Sequence, residues 1–302
     1  MLIKNNLGIM TAVVTPMQAD GVTVNENALK AIIEYQIKNG AGSLLFLGGT
    51  GETPSVPAEA RKKILEIASE TVDHRVPVVA GVYELSVFDA VREAKTAKAA
   101  GADILLAAPP FARGTDREGC IAFYQKIDEA AGLPILIYNY PDRFGKDGYC
   151  CTPDDVEALM TAIPNIAGIK ECCMKFDRTV EMICRFGDRI QILSGNEAYA
   201  PWEMLAGARG AVLAGSNVLM KEYAEIYDAA MAGDAAKTTA LAFRIQGFQR
   251  LLFQSPNPGP VKYALTEMGF EAGGPLPPIA PVPAALKEKI RAGMAALGIL
   301  QI

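Results

Sequence analysis

The chain has 302 residues, half of them hydrophobic, and its 29 Lys and Arg against 34 Asp and Glu give a formal net charge of −5. That length supports one large core or two modest ones, and an acidic chain with no basic cluster argues against nucleic acid as a partner. No run approaches the roughly 18 consecutive apolar residues of a membrane span, and Met1-Leu2-Ile3-Lys4 opens no apolar leader, so a soluble, cytoplasmic, membrane-independent protein acting on a small molecule is expected.

Short apolar runs alternate with amphipathic stretches along most of the chain. Residues 9–14 read as a first strand, and residues 25–39 as a helix with Leu29, Ile32, Ile33 and Ile37 at helical spacing. The next strand, 43–47, runs into Gly48-Gly49-Thr50-Gly51-Glu52 and is followed by a helix at 57–71 that opens on a proline. Strands at 76–80 and 104–107 alternate with helices at 87–99 and 117–131. The strand at 134–138 ends in Tyr138-Asn139-Tyr140-Pro141, and a helix at 153–162 leads to the strand 166–170, which ends on Lys170. A helix at 176–186 and strands at 190–193 and 210–214 complete the series. The strands are near-continuous apolar runs, as parallel strands covered on both faces are. Eight of them, with helices between, predict an α/β fold, a (β/α)₈ TIM barrel over residues 1–220. Beyond it, 221–233, 234–253, 260–268 and 284–295 read as helices only, forming a C-terminal helical region over 221–302.

Elimination narrows the chemistry. His74 is the single histidine and sits in an expected surface turn, so neither a zinc site, which needs two or three imidazoles, nor a Ser-His-Asp triad, which needs a positioned one, is expected. Cys120, Cys150, Cys151, Cys172, Cys173 and Cys184 show no metal-finger spacing and no CxxC, and are expected to be reduced thiols. No metal is called for.

Lys170 carries the most information. A charged amine closing an apolar strand is either paired with a neighbour such as Glu171, or is a nucleophile of the Schiff-base type, since burial disfavours the charged form of a lysine. Tyr138, closing the preceding strand, is either a proton shuttle for such chemistry or an aromatic at the edge of the core. The glycine-rich stretch 48–52 offers open backbone N–H groups and one hydroxyl, suited to a carboxylate, or simply marks a tight turn. Three strands thus deliver polar groups at their C-terminal ends, the active rim of a barrel.

These segments, in this order and spacing, resemble those of the dihydrodipicolinate synthase and N-acetylneuraminate lyase family. Gly48–Glu52 resembles its GTTGE loop, Tyr138–Pro141 its YNxP motif and Ile169–Glu171 its GIKE motif. Thr15-Pro16, Ser194-Gly195-Asn196-Glu197 and Asn257-Pro258-Gly259-Pro260-Val261-Lys262 resemble further landmarks, so the match covers nearly the whole chain. The resemblance implies a (β/α)₈ Schiff-base lyase, a class I aldolase that needs no cofactor because lysine supplies the electrophile. It implies that Lys170 forms an imine with a 2-oxo acid such as pyruvate, and that Tyr138 moves protons. It further implies that Gly49 and Thr50 hold the substrate carboxylate, that Gly195 and Val212 line the pocket, and that Arg143 receives a second substrate's carboxylate. A homo-oligomer, tetramer or dimer, is the implied assembly.

Departures from the family pattern stand beside these matches. Gly49 occupies the place of a relay threonine, Ala112 that of a relay tyrosine reaching from a neighbouring subunit, and Ala80-Gly81-Val82-Tyr83 replaces a glycine-rich turn. Arg113 and Arg143 either suit an acidic second substrate or are solvated surface charges. The expected activity is aldol condensation or cleavage, or dehydration, of pyruvate-related 2-oxo acids. The alternatives are a divergent synthase with water or Tyr83 in the relay, a 2-keto-3-deoxy sugar acid dehydratase or aldolase, and a non-catalytic 2-oxo-acid-binding protein.

Overall fold

A computed structural model describes residues 3, 6–111, 114–144 and 149–300. Eight parallel strands, β1 (Gly8–Ala12), β2 (Ser43–Phe46), β3 (Val78–Val82), β4 (Ile104–Ala107), β5 (Ile135–Asn139), β6 (Ile166–Glu171), β7 (Gln191–Ser194) and β8 (Gly210–Leu213), follow one another around a closed barrel in which β8 pairs back onto β1. Successive side chains on a strand point to opposite faces, which divides the core in two. Met10, Leu45, Val79, Leu106, Leu136, Leu193 and Val212 fill the barrel interior. Their sequence neighbours Ile9, Leu44, Val78, Leu105, Ile135, Ile192 and Leu213 pack outward against the helices.

The surrounding helices are α1 (Glu26–Lys38), α2 (Ala58–Val72), α3 (Val87–Ala99), α4 (Arg117–Ala131), α5 (Pro141–Phe144), α6 (Pro153–Ala162), α7 (Phe176–Phe186), α8 (Ala200–Leu205) and α9 (Ser216–Met231). Several start where a short polar side chain can satisfy an orphan N–H. Asn25 accepts from Ala28 N, Asp116 from Gly119 N, and Thr152 with Asp155 forms a capping box on α6. The barrel and its helices agree with the sequence reading; α5 and α8 were not expected, because four and six residues are too few to display a helical period. The expected division at 220 falls inside α9, which is kinked at Leu219. His74 lies exposed in a left-handed turn, as read. Among the described residues no helix is long and apolar enough to cross a membrane.

The C-terminal helices α10 (Ala235–Leu251), α11 (Gly259–Glu267) and α12 (Ala284–Ala296) pack against α9 and one another. This region also reaches the barrel mouth. Lys262 on α11, fully buried, places Nζ 2.5 Å from Glu52 Oε2 and donates to the Gly274 carbonyl at 3.0 Å. Glu52 Oε1 accepts from Leu276 N at 2.5 Å, and Asn257 Nδ2 donates to Thr50 Oγ1 at 2.9 Å. The loop after β2 is therefore clamped from above by residues more than 200 positions away in sequence.

Candidate active site

Register decides which groups meet. Tyr138 on β5 lies directly opposite Lys170 on β6, and the alternation that turns Ile169 and Glu171 outward turns Lys170 and Cys172 toward the barrel axis. Lys170 Nζ stands 4.5 Å from the centroid of the Tyr138 ring. Glu171 is committed elsewhere: it accepts from Asn139 Nδ2 and Cys173 N, each at 2.8 Å, and lies 3.5 Å from Arg178 Nε. Of the two readings open for Lys170, pairing with Glu171 is thereby excluded. Among the described residues no carboxylate lies within ion-pair distance of the Lys170 amine, and the residue as a whole is 9% exposed.

The expected residues Lys170, Tyr138, Gly49, Thr50, Arg143, Gly195 and Val212 all line one cavity of about 130 Å³ at the C-terminal rim of the strands. That volume suits a substrate of a few carbons rather than a large cofactor. Gly49 leaves a space rather than a group: a Cβ there would stand 3.7 Å from Arg143 Nη1 and 3.9 Å from the Tyr138 hydroxyl. Arg143, on α5, lines the cavity and makes no ion pair with any described residue. Gly81 is required for another reason, since a Cβ there would collide with the Leu47 carbonyl just before the 48–52 loop.

Gly195 is the tightest point. A Cβ at this position would collide with Cys172 Sγ, and would stand 2.9 Å from the Glu171 carbonyl oxygen and 3.1 Å from Lys170 Cε. Gly195→Ala is accordingly expected to push the lysine out of line and lower turnover by about 100-fold, as small misplacements of reacting groups do. Steady-state kinetics beside a thermal melt would show a rate loss out of proportion to any loss of stability.

Burial sets the protonation of the lining groups. It holds the Tyr138 hydroxyl well above the ordinary phenol value, with a small opposing effect from Arg143. Burial pushes the Cys172 thiol up to about 12, which makes it a poor nucleophile at neutral pH despite its position beside Lys170. Burial raises Glu197 too, against amide hydrogen bonds and the Lys170 charge that favour its ionised form. Tyr83 packs its ring 4.6 Å from Phe111 and 5.9 Å from Tyr138, in an aromatic cluster beside the cavity. Ala112 and Arg113 lie outside the described residues.

Tyr140, Glu197, Phe253 and Asn257 also line the cavity and were given no site role from sequence. Glu197 follows β7 by three residues, so the same rule that singled out Lys170 and Tyr138, polar groups at strand ends, would have found it. Phe253 and Asn257 come from the helical tail, where no strand pattern marks them.

A closed parallel barrel whose strand-end lysine, tyrosine and glycine-threonine loop share one small cavity is the arrangement of a class I aldolase-type lyase, and the protein is an enzyme of that class. The chain belongs to the dihydrodipicolinate synthetase family, whose sequence model matches residues 5–297. It is 32% identical over 296 residues to a 4-hydroxy-tetrahydrodipicolinate synthase of Halorhodospira halophila, covering 97% of each chain. It is 34% identical to a protein of the same name from Leptothrix cholodnii, covering 97% of this chain and 99% of that one. Among solved structures, the dihydrodipicolinate synthase of Acinetobacter baumannii complexed with pyruvate superposes with a TM-score of 0.91 at 31% identity, over 97% of this chain and 99% of the other. A monomeric dihydrodipicolinate synthase variant superposes with a TM-score of 0.92 at 27% identity, over 99% and 100% of the two chains.

Proposed function

We propose that the enzyme forms an imine between Lys170 and a 2-oxo acid such as pyruvate, and makes or breaks the bond between its C3 and an acidic second reactant. The observation that carries this reading is the Lys170 amine, 4.5 Å over the Tyr138 ring, in the cavity and without a carboxylate partner among the described residues. The amine attacks the 2-oxo carbon, water leaves, and the resulting iminium accepts the electron pair released at C3 as an enamine. Tyr138 carries protons between the carbinolamine oxygen and the solvent side. Thr50, its hydroxyl held by Asn257, and the N–H groups of Gly49 and Thr50 take the substrate carboxylate, while Gly195 and Val212 wall the pocket. Arg143 offers its guanidinium to a second carboxylate.

A second reading, 4-hydroxy-tetrahydrodipicolinate synthase itself, is favoured by the names of the relatives at 31–34% identity. Against it stands Gly49, which brings no relay hydroxyl. Product tests with pyruvate plus aldehydes, beside 3-deoxy- and 4-hydroxy-2-oxo acids alone, separate the two.

Borohydride reduction in the presence of pyruvate, followed by peptide mass spectrometry, tests the imine. An adduct on Lys170, missing from Lys170→Ala, is expected; absence of any adduct with pyruvate or longer 2-oxo acids would falsify the reading. Tyr138→Phe should retain the adduct but form it about 10²- to 10⁴-fold more slowly, the usual contribution of a positioned acid-base group. A stopped-flow trapping series measures this.

The chain is also read as a homo-oligomer, dimer or tetramer, acting in the cytoplasm. Leu85 and Phe88, 54% and 83% exposed in the single chain, supply apolar surface beside α3 for such an assembly, and sedimentation analysis measures it. Buried thiols at Cys120, Cys151, Cys172 and Cys173 fit a reducing compartment.

A further inference from the structure

We infer that Glu197 is the acid-base catalyst for the second reactant: its carboxylate removes the proton from the 4-hydroxyl of a 4-hydroxy-2-oxo acid as the C3–C4 bond breaks, and returns it to the aldehyde oxygen in condensation. The inference rests on the Schiff-base reading above and assigns the step which that reading leaves without a proton acceptor.

Glu197 sits in the turn after β7, the strand beside β6, and lines the same cavity as Lys170. Among the described residues it is the only carboxylate that does so. Its Oε1 is fixed by two amides leading into α9, accepting from Ala214 N at 2.8 Å and Gly215 N at 3.3 Å. An anchored carboxylate keeps one orientation and leaves its second oxygen for a ligand.

The competing groups are less suited. Gly49 brings no hydroxyl, Tyr138 is engaged with the carbinolamine oxygen, the Thr50 hydroxyl is held by Asn257 Nδ2, and the Cys172 thiol is held at about 12. Burial pushes Glu197 the opposite way in usefulness, from a carboxylate that ionises too readily toward one that exchanges protons nearer neutrality. Behind Glu197 lies a small enclosure of about 10 Å³, also lined by Tyr223, whose buried hydroxyl has no hydrogen-bond partner among the described residues. That is about the least space a single water needs, and it gives the carboxyl a second polar neighbour through which to exchange its proton away from the substrate.

The step balances without an oxidant or co-reactant. Starting from the Lys170 iminium of a 4-hydroxy-2-oxo acid, the O–H proton at C4 passes to Glu197 and the C4–O bond becomes a carbonyl. The C3–C4 bonding pair moves into C2=C3, and the iminium nitrogen becomes the neutral enamine. Protonation at C3 and hydrolysis by water then release pyruvate and free Lys170.

The test separates the two half-reactions. Exchange of pyruvate methyl protons in D₂O, followed by proton NMR, needs Lys170 and the imine but not the second reactant. Pyruvate release from 4-hydroxy-2-oxoglutarate and 4-hydroxy-2-oxopentanoate needs both. Glu197→Gln preserves a carbonyl acceptor for Ala214 and Gly215, and is expected to keep methyl exchange and the borohydride adduct within about twofold while cleavage falls at least about 100-fold. If Glu197→Gln does not fold, Glu197→Asp is measured instead and should lose about tenfold in cleavage with exchange intact. Equal loss of both reactions would make Glu197 a support for Lys170 and overturn the assignment, as would retention of both. Wild-type enzyme that exchanges pyruvate protons but cleaves neither hydroxy acid would overturn it too. Wild-type enzyme that neither exchanges protons nor forms an adduct would instead sink the Schiff-base reading.

Discussion

Lys170→Met is expected to lower turnover by at least about 10⁴-fold while leaving the protein as stable as wild type, or more so. The loss follows from the chemistry: without an imine there is no electron sink at C2, and removal of a covalent nucleophile costs several orders of magnitude in rate. The stability side follows from the surroundings. Lys170 is an interior residue of β6 with its amine against the Tyr138 ring and no ion-pair partner among the described residues. An apolar side chain of similar length removes the cost of desolvating the amine and keeps the packing. Steady-state assays and a thermal melt on the same preparation check both halves. A variant within tenfold of wild type in rate would refute the catalytic role, and a markedly lower melting temperature would show that the amine has a structural partner.

The second large effect lies outside the cavity. Lys262→Met should destabilise the fold by about 3–5 kcal/mol, because it leaves the Glu52 carboxylate buried without its cation. Glu52 is 4% exposed and Lys262 0%, so water cannot take the partner's place. The double variant Lys262→Met with Glu52→Gln should recover most of that loss, since no unpaired charge then remains and the amide oxygen still accepts from Leu276 N. Denaturant titrations of the two single variants and the double variant provide the cycle. Additive losses in the double variant would show that the two side chains act independently.

Much of the barrel was legible because parallel strands buried on both faces are continuous apolar runs, and eight of them recur with helices between. The strand ends were legible for a related reason. Lys170 and Tyr138 stand out because they interrupt apolar runs, and the structure brings them together through register rather than through proximity in sequence. Other features had no such mark. The four residues of α5, which carry Arg143 to the cavity, show no period, and Arg143 was reached only through the family resemblance. Glu197 carries a charge in a polar turn, where charges are ordinary and only its place three residues after β7 hints at the rim, and the Ala214 and Gly215 amides that fix it come from beyond the next strand. The contact of Asn257 with Thr50 joins segments 207 positions apart and leaves no trace in either.

The tail-to-loop clamp bears on the order in which the molecule becomes competent. A chain emerging from the ribosome exposes β1 to β8 first, and domains tend to organise from the N-terminal side as they emerge. The barrel strands and Lys170 are therefore available well before residues 257–276 appear. Until then Thr50 lacks its Asn257 partner and Glu52 lacks both Lys262 and the Leu276 amide, so the loop after β2 is without these braces. The loop at the cavity mouth thus gains its bracing contacts only from segments that follow all eight barrel strands in the chain.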